Sequence, residues 1–212
     1  MKLYTFFRSS AAYRVRIALN LKQLNYTSIP IHFRKDGGQH KSPEFLAINP
    51  QGLLPVLQDG DVTLNQSLAI IEYLDEVYPD KALLPKNPID KAKVRAMAQM
   101  VACEIHPLNN LRVMGYLKNN LQQDDNSVNQ WYQHWVELGF EAFEATVVSK
   151  RGKYCFGDEI TLADICLVPQ IYNALRFNCD MEPYPNLYRI YVELNSIAAF
   201  RDAAPEVQPD AE

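Results

Sequence analysis

The stretch Leu3-Tyr4-Thr5-Phe6-Phe7-Arg8-Ser9-Ser10-Ala11-Ala12-Tyr13-Arg14-Val15-Arg16-Ile17-Ala18-Leu19 decides how the rest of the chain is read. Its apolar start, Leu3–Phe7, reads as a strand. Val15, Leu19 and Leu21 then fall toward one side of the following segment, which reads as a helix. Ser9 and Ser10 lie at the turn between them. There the first backbone N–H groups of a helix lack intrahelical acceptors, and the helix dipole is positive. Such a turn caps a helix, which is what a serine like Ser10 most often does, or holds an anion, for which a thiolate is one candidate. Arg8 adds a fixed positive charge next door.

Working outward, residues 1 to 80 alternate strand and helix patterns. Tyr26–Phe33 alternates apolar and polar residues like a strand, and Lys35–His40 is a polar loop. Ser42–Ile48 is a short helix with Pro43 at its first position, where a missing N–H costs nothing. Leu53–Leu57 pairs across Asp59-Gly60 with Val62–Leu64, a strong hairpin signal. Ser67–Tyr78 follows as a helix capped by Ser67. The order β-α-β-α-β-β-α implies a mixed sheet with helices on its faces. Pro79, Pro85 and Pro88 mark a linker, and after it the patterning is helical. Val94, Met97, Val101, Ile105, Leu108, Leu111 and Met114 recur at steps of three or four, predicting a long helix over 92–117 bent near Pro107. Trp131, Trp135, Leu138, Phe140, Phe143 and Val147 predict another over 128–148. Thr161 and Asp164, flanked by Ile160 and Ile165, form a capping box with a hydrophobic staple. A last helix is predicted from Tyr184 to Ser196, and the tail Pro205–Glu212 is expected to fray.

Bulk properties narrow the function. The 212 residues are 48% hydrophobic and 22% charged, with a net charge of −4. That is an ordinary globular composition without the basic footprint of a nucleic-acid binder. No apolar run reaches the ~18 residues of a membrane span, and the N-terminus lacks a signal-peptide pattern. Cys103, Cys155, Cys166 and Cys179 are scattered without a CxxC pair, as buried free thiols in a reducing cytoplasm are. The four histidines lack ligand spacing, so no metal is expected. HExxH, Gly-rich phosphate loops and GxSxG elbows are missing from the sequence.

Two further features join the double serine. A proline after an extended residue, as in Leu54-Pro55, is where a cis peptide can leave the neighbouring main chain open to an added peptide strand. A plain trans proline opening a strand fits the same residues. Gln66-Ser67, at another helix start, can bind a carboxylate or simply cap. Together the three features point to a short acidic peptide ligand. In the helical half, His106, Asn110, Lys118, Arg112 and Arg176 are polar positions of a kind that usually face water or cap helices.

These residues resemble a known family. Ser9-Ser10-Ala11-Ala12-Tyr13-Arg14-Val15-Arg16-Ile17-Ala18-Leu19, Leu54-Pro55, Gln66–Leu74, Gly157–Asp164, Leu167-Val168-Pro169-Gln170 and Pro183-Tyr184-Pro185 are similar to cytosolic glutathione transferases of the zeta class, over nearly the whole chain. The first motif and the Leu-Val-Pro-Gln segment are the zeta-like pieces; the others mark the wider glutathione transferase fold. The resemblance implies an α/β plus all-α protein: a thioredoxin-like glutathione-binding domain (1–80), a linker (81–87) and an all-helical substrate-binding domain (88–212), usually assembled as a cytoplasmic homodimer. It implies glutathione as cofactor and a cis Pro55. Ser9 would hydrogen-bond the thiolate with Ser10 beside it, the two forming the catalytic pair. Gln39 would lie near the glycyl end, Leu54 and Pro55 at the cysteinyl part, and Gln66 and Ser67 at the γ-glutamyl group. His106 and Asn110 would be the helical domain's glutathione contacts. Arg8, Arg112 and Arg176 would bind a dicarboxylate substrate.

The implied reaction is cis–trans isomerisation of maleylacetoacetate to fumarylacetoacetate, in tyrosine and phenylalanine breakdown, with glutathione regenerated. The alternatives are maleylpyruvate isomerisation in gentisate breakdown, conjugation of haloacids, or a non-catalytic binding protein of the same fold. One departure stands out: the motif's third position, commonly cysteine in the family, is Ala11. Any sulfur chemistry at that position must then come from the cofactor.

Overall fold

The computed structural model describes residues 1–150 and 152–212, and its contacts divide the chain into two units, Met1–Ala82 with Asn195–Glu212, and Leu83–Leu194. The first is built on a four-stranded sheet. Strand β1 (Lys2–Thr5) leads into α1 (Ser10–Leu21), then β2 (Thr27–Pro30), α2 (Pro43–Ile48), β3 (Val56–Asp59), β4 (Val62–Asn65) and α3 (Ser67–Val77). The sheet order is β2-β1-β3-β4. β1 pairs parallel with β2, while β1–β3 and β3–β4 pair antiparallel. A parallel pair needs a crossover, and α1 supplies it. This is the mixed sheet that the β-α-β-α-β-β-α order implies, and the thioredoxin-like arrangement that the family resemblance implies.

Packing on the two sides follows from apolar residues in adjacent elements. Leu3, Val15, Ile17, Leu19, Leu57, Ile70 and Leu74 are buried, and α3 packs against α1. Phe6, Phe7, Phe45, Leu54 and Val56 form a cluster joined by Tyr4, Ile31, Phe33 and Ile48. The end of α1 carries a tie that hydropathy patterns hide. Lys22 Nζ is buried, 2.8 Å from Asp75, and donates to the carbonyls of Tyr78, Asp80 and Lys81. The ion pair and the three carbonyls together compensate for burying an ammonium.

Local details differ from the sequence expectations for identifiable reasons. The second strand is shorter than Tyr26–Phe33, because only Thr27–Pro30 finds partners on β1. In the hairpin the two turn residues are Gly60-Asp61, not Asp59-Gly60: Asp59 pairs with Val62. Gly60 takes a φ of +56° at the first turn position, as a type II′ turn requires. The tail does not fray. Pro205–Val207 is a 3-10 turn with Pro205 buried, Asp210 accepts the N–H of Phe7 at 2.9 Å, and Glu212 reaches Lys35 at 3.0 Å.

The second unit is helical. After α4 (Pro88–Gln99), a π-helical turn (Met100–Ile105) and a short α5 (His106–Leu108) come α6 (Leu111–Asn119), α7 (Asp125–Lys150), α8 (Leu162–Arg176) and α9 (Pro185–Asn195), the last residue of which belongs to the first unit with α10 (Ala198–Arg201). Among the described residues this unit has only an isolated bridge, Tyr154–Gly157, in place of a sheet. Pro88 opens α4, and Asn87 caps the N–H groups of Ile89 and Asp90. The predicted long helix over 92–117 is interrupted, not merely bent. It widens to a π turn, stops at Leu108 and restarts under Asn110. Trp131 Nε1 donates to the Leu108 carbonyl at 2.9 Å, and Asn109 Nδ2 donates to the Tyr132 carbonyl at 3.3 Å, so α7 holds the break open. The start of α9 is capped from a distance by Glu144, whose carboxylate accepts the N–H groups of Asn186 and Leu187.

Gly152 sits where no side chain fits: a Cβ there would overlap the Cα and carbonyl of Gly157. Backbone cannot rotate away as a side chain can. We therefore expect Gly152→Ala to cost about 2 kcal/mol, typical of overpacking, and to lower Tm by roughly 5 °C. Thermal unfolding followed by circular dichroism checks this; an unchanged Tm would show that the Tyr154–Gly157 loop yields freely.

Candidate active site

Residues with candidate chemistry gather at two helix starts in the first unit. Ser9 takes extended backbone angles (φ −70°, ψ 113°) and is the N-cap of α1; Ser10 is already helical and buried. The plain-cap role therefore falls to Ser9 and not to Ser10. Ser9 Oγ accepts the Ala12 N–H at 3.2 Å. A hydroxyl accepts through lone pairs, so this bond leaves the Ser9 hydroxyl hydrogen to donate. The serine thus caps its helix and can still offer a proton to an anion at the positive end of the same dipole. Ser9 is half-buried, and Arg8 is exposed with its guanidinium 4.8 Å from the centre of the Phe7 ring. Ala11, in the first turn, offers no sulfur. All four cysteines fall within 83–194, so the unit that carries Ser9 has none; Cys155, Cys166 and Cys179 are buried as expected, but Cys103 is exposed.

At α3 the expectation also shifts by one residue. Gln66 is the N-cap position, with φ +68° and ψ 112°, and Ser67 is the first helical residue. A left-handed φ at a non-glycine costs on the order of 1–3 kcal/mol and concentrates at functional positions. Ser67 is buried, and its Oγ lies 3.3 Å from Arg14 Nη1. A buried guanidinium behind this serine adds positive potential to that of the helix start. The Gln66 side chain is exposed and donates to Gln51 Oε1 at 2.9 Å. Between the two helix starts in sequence, the Leu54-Pro55 bond is cis, and Leu54 lies before the first paired residue of β3, outside the ladder. Two helix starts, a hydroxyl with a proton to give and main chain outside the ladder suit a small peptide bearing a thiolate and a carboxylate.

Gln39 is committed within its own loop. Its Oε1 accepts the His32 N–H at 2.8 Å and its Nε2 donates to Asp36 at 2.9 Å. It lines a cleft with Tyr4, Ile31, Gly38, Lys41 and Glu44.

In the second unit, His106 opens α5 and is half-buried. Asn110 is the N-cap of α6: its Oδ1 accepts from Arg112 N at 3.0 Å and Val113 N at 3.2 Å, and its Nδ2 donates to Pro107 O at 2.8 Å. A residue chosen as a ligand contact is therefore also the clasp of the helix break. Arg112 is exposed in the first turn of α6. Arg176 ends α8, exposed, donating to Asn173 Oδ1 at 3.3 Å. Its guanidinium stands 5.9 Å from the ring centres of both Tyr172 and Phe177, and Phe177 stacks on Tyr132 at 3.7 Å. Aromatic neighbours of this kind hold an arginine outstretched and narrow the positions it samples.

Sequence reasoning passed over Arg14 and Arg16. Both are buried on α1, where periodicity suggests water-facing residues. The available signal is the pattern Tyr13-Arg14-Val15-Arg16-Ile17, in which arginines interrupt an apolar helix with no polar face to receive them.

Comparison with known proteins shows the family to which the chain belongs. The glutathione S-transferase N-terminal domain model matches residues 3–82, and the C-terminal domain model matches residues 128–197. A probable maleylacetoacetate isomerase from Vibrio cholerae is 51% identical over 209 residues, 99% of this chain and 97% of that one. A holo maleylpyruvate isomerase, described as a bacterial glutathione S-transferase of the zeta class, superposes with a TM-score of 0.97 at 45% identity, each chain fully covered. A maleylacetoacetate isomerase from Methylobacterium extorquens, solved with malonate and glutathione bound, has a TM-score of 0.95 at 38% identity, again with both chains fully covered.

Proposed function

This chain belongs to the glutathione S-transferase family, in its zeta-class isomerase branch, and on that premise we propose that it converts maleylacetoacetate to fumarylacetoacetate with glutathione as cofactor. The observation that carries the reading is the Ser9 cap, whose hydroxyl accepts from Ala12 and keeps its hydrogen for an anion. Bound glutathione supplies a sulfur nucleophile that makes the substrate's double bond temporarily single and therefore rotatable. An unperturbed thiol, with pKa about 8.5, is only a few per cent ionised at neutral pH. Donation from Ser9 and the positive end of α1 favour the charged form. The γ-glutamyl carboxylate is assigned to Ser67 and the α3 start, backed by Arg14, and the cysteinyl main chain to Leu54 beside Pro55. Because Ala11 replaces cysteine, the chain's own residues bind and polarise but donate no sulfur.

The substrate carries two carboxylates, which arginines recognise through paired N–H donors. We assign that role to Arg176, with Arg8 and Arg112 as further candidates. Arg176→Ala is expected to raise KM for the dicarboxylate about tenfold or more, while KM for glutathione stays within about twofold. Steady-state kinetics with each component varied in turn checks this; proportional changes in both constants would contradict the assignment.

Maleylpyruvate is the second reading, supported by the close structural match to a maleylpyruvate isomerase. The two acids share the reacting half. Side-by-side kcat/KM for both acids, with and without glutathione, decides between them. Equal turnover without glutathione would defeat both, and stoichiometric consumption of glutathione would favour a conjugating transferase. As a homodimer in the cytoplasm the protein would match the general habit of its family. Among the described residues no helix is long and apolar enough to cross a membrane.

A further inference from the structure

The peptide between β1 and Ser9 is gripped from two directions, and one grip comes from the far end of the chain. Arg16 is wholly buried. Its Nη2 donates to the Phe7 carbonyl at 2.9 Å, and its Nη1 donates to Thr5 Oγ1 at 3.0 Å and to the Phe6 carbonyl at 3.4 Å. Its Nε donates to the carbonyl of Ala203, at the start of the C-terminal tail, at 3.0 Å. From the tail itself, Asp210 Oδ2 accepts the N–H of Phe7 at 2.9 Å. The Phe6 carbonyl also accepts the N–H of Ser9, at 2.9 Å. The position of the Ser9 cap is thus inherited from a peptide whose carbonyls are held by Arg16 and whose N–H is held by Asp210. Phe7 is in addition the ring over which Arg8 lies.

Charge adds to the hydrogen bonds. The acceptors of Arg16 are three carbonyls and a hydroxyl, all neutral. Burial pulls its pKa down to about 10, and Tyr26, Tyr13 and, least of the three, Asp210 oppose that fall. The tail carboxylate and the buried arginine thus hold Phe7 from two sides, its N–H bonded to Asp210 and its carbonyl to Arg16. Glu212 pins the tip of the tail, 3.0 Å from Lys35 and 3.2 Å from His32, and Gln208 Nε2 donates to the Ala204 carbonyl at 2.9 Å.

We propose that Asp210 is a positioning residue for the reaction: through Phe7 and Arg16 it sets where the Ser9 hydroxyl and the Arg8 guanidinium stand. The proposal rests on the assignment of Ser9 as thiolate donor. It makes residues 205–212 a working part of the site through the peptide they hold.

The test is the ionisation of glutathione bound to the full-length protein, titrated by its ultraviolet thiolate absorbance, together with kcat and both KM values. Asp210→Ala is expected to raise the pKa of the bound thiol and lower kcat about tenfold, within what a small misplacement of a reacting group costs. KM for glutathione should change less than about twofold, since its γ-glutamyl and cysteinyl contacts lie elsewhere. Asp210→Asn keeps an acceptor for the Phe7 N–H and should restore most of the thiol ionisation. A chain ending at Pro209 removes the same acceptor, together with the Glu212 contacts to Lys35 and His32, and so gives the reading if Asp210→Ala folds poorly. Wild-type thiol pKa and kcat in either variant, measured well below its melting temperature, would overturn the proposal. Ser9→Ala run in parallel separates the layers. If it too leaves the thiol pKa unchanged, the assignment of Ser9 has failed; if it alone raises the pKa, only the role of Asp210 has.

Discussion

Ser9→Ala is expected to lower kcat for glutathione-dependent isomerisation about a hundredfold or more while leaving the protein folded. The two roles of this hydroxyl have different magnitudes, and that difference makes the experiment decisive. As an N-cap it contributes about 1 kcal/mol to stability, or roughly 2–4 °C in Tm for a chain of this size. As a donor to the reacting sulfur it would stabilise charge in the site, where loss of one such donor costs about 10²–10³ in rate. A variant with slightly lower Tm and nearly full activity would reduce Ser9 to a cap. A variant with slightly lower Tm and collapsed activity would establish the second role. Ser9→Thr keeps a hydroxyl able to cap and to donate, and should recover much of the rate. The pKa of bound glutathione should rise in the alanine variant and return toward normal with threonine.

The largest effect on stability is expected at Asp164→Ala. This carboxylate is fully buried at the start of α8. Its Oδ2 accepts the Thr161 N–H at 2.8 Å and the Thr161 hydroxyl at 2.9 Å, and its Oδ1 accepts the Cys155 N–H at 2.9 Å. Burial pushes its pKa up, and the hydrogen bonds from Cys155 and Thr161 pull it back. Alanine would leave two buried backbone N–H groups without an acceptor, at about 1–3 kcal/mol each. The total, about 3–5 kcal/mol, corresponds to a fall in Tm of roughly 10 °C or more. Asp164→Asn keeps an acceptor and should lose less. Differential scanning calorimetry reads the series directly. An alanine variant melting within about 2 °C of the wild type would mean that water reaches these groups and the capping box is ornamental.

Elements whose cause is local were legible without coordinates. Helix α1 spans the residues that its apolar spacing predicts, and α2 starts at Pro43 behind the Ser42 cap. The box formed by Thr161 and Asp164 is visible as a three-residue spacing because both partners lie within one helical turn. The candidate anion sites were legible for the same reason: a hydroxyl just before a helix is defined by a few consecutive residues. What spacing does not reveal is which of two adjacent serines leaves the helical conformation. That depends on where the chain turns off β1, which placed the cap at Ser9 and set Gln66, not Ser67, at the entrance to α3.

Longer-range relations escaped for a different reason. Asp164 also holds Cys155, nine residues earlier, and Glu144 caps a helix more than forty residues away. The tail looks frayed by composition, with two prolines and three acids, yet Asp210 and Glu212 find buried or basic partners on the β1–α1 and β2–α2 connections. By itself, then, the sequence determined the alternation of elements, the family, and a short list of groups able to hold a peptide thiolate. Only the tertiary structure decided which serine caps α1, which residue opens α3, and that Arg16 and Asp210 both bond the strand-to-helix turn between β1 and α1. The reason is physical. Helix and strand signals come from neighbours along the chain, whereas the placement of a buried charge is settled by whichever carbonyls and carboxylates folding brings around it, and these lie up to 203 residues apart.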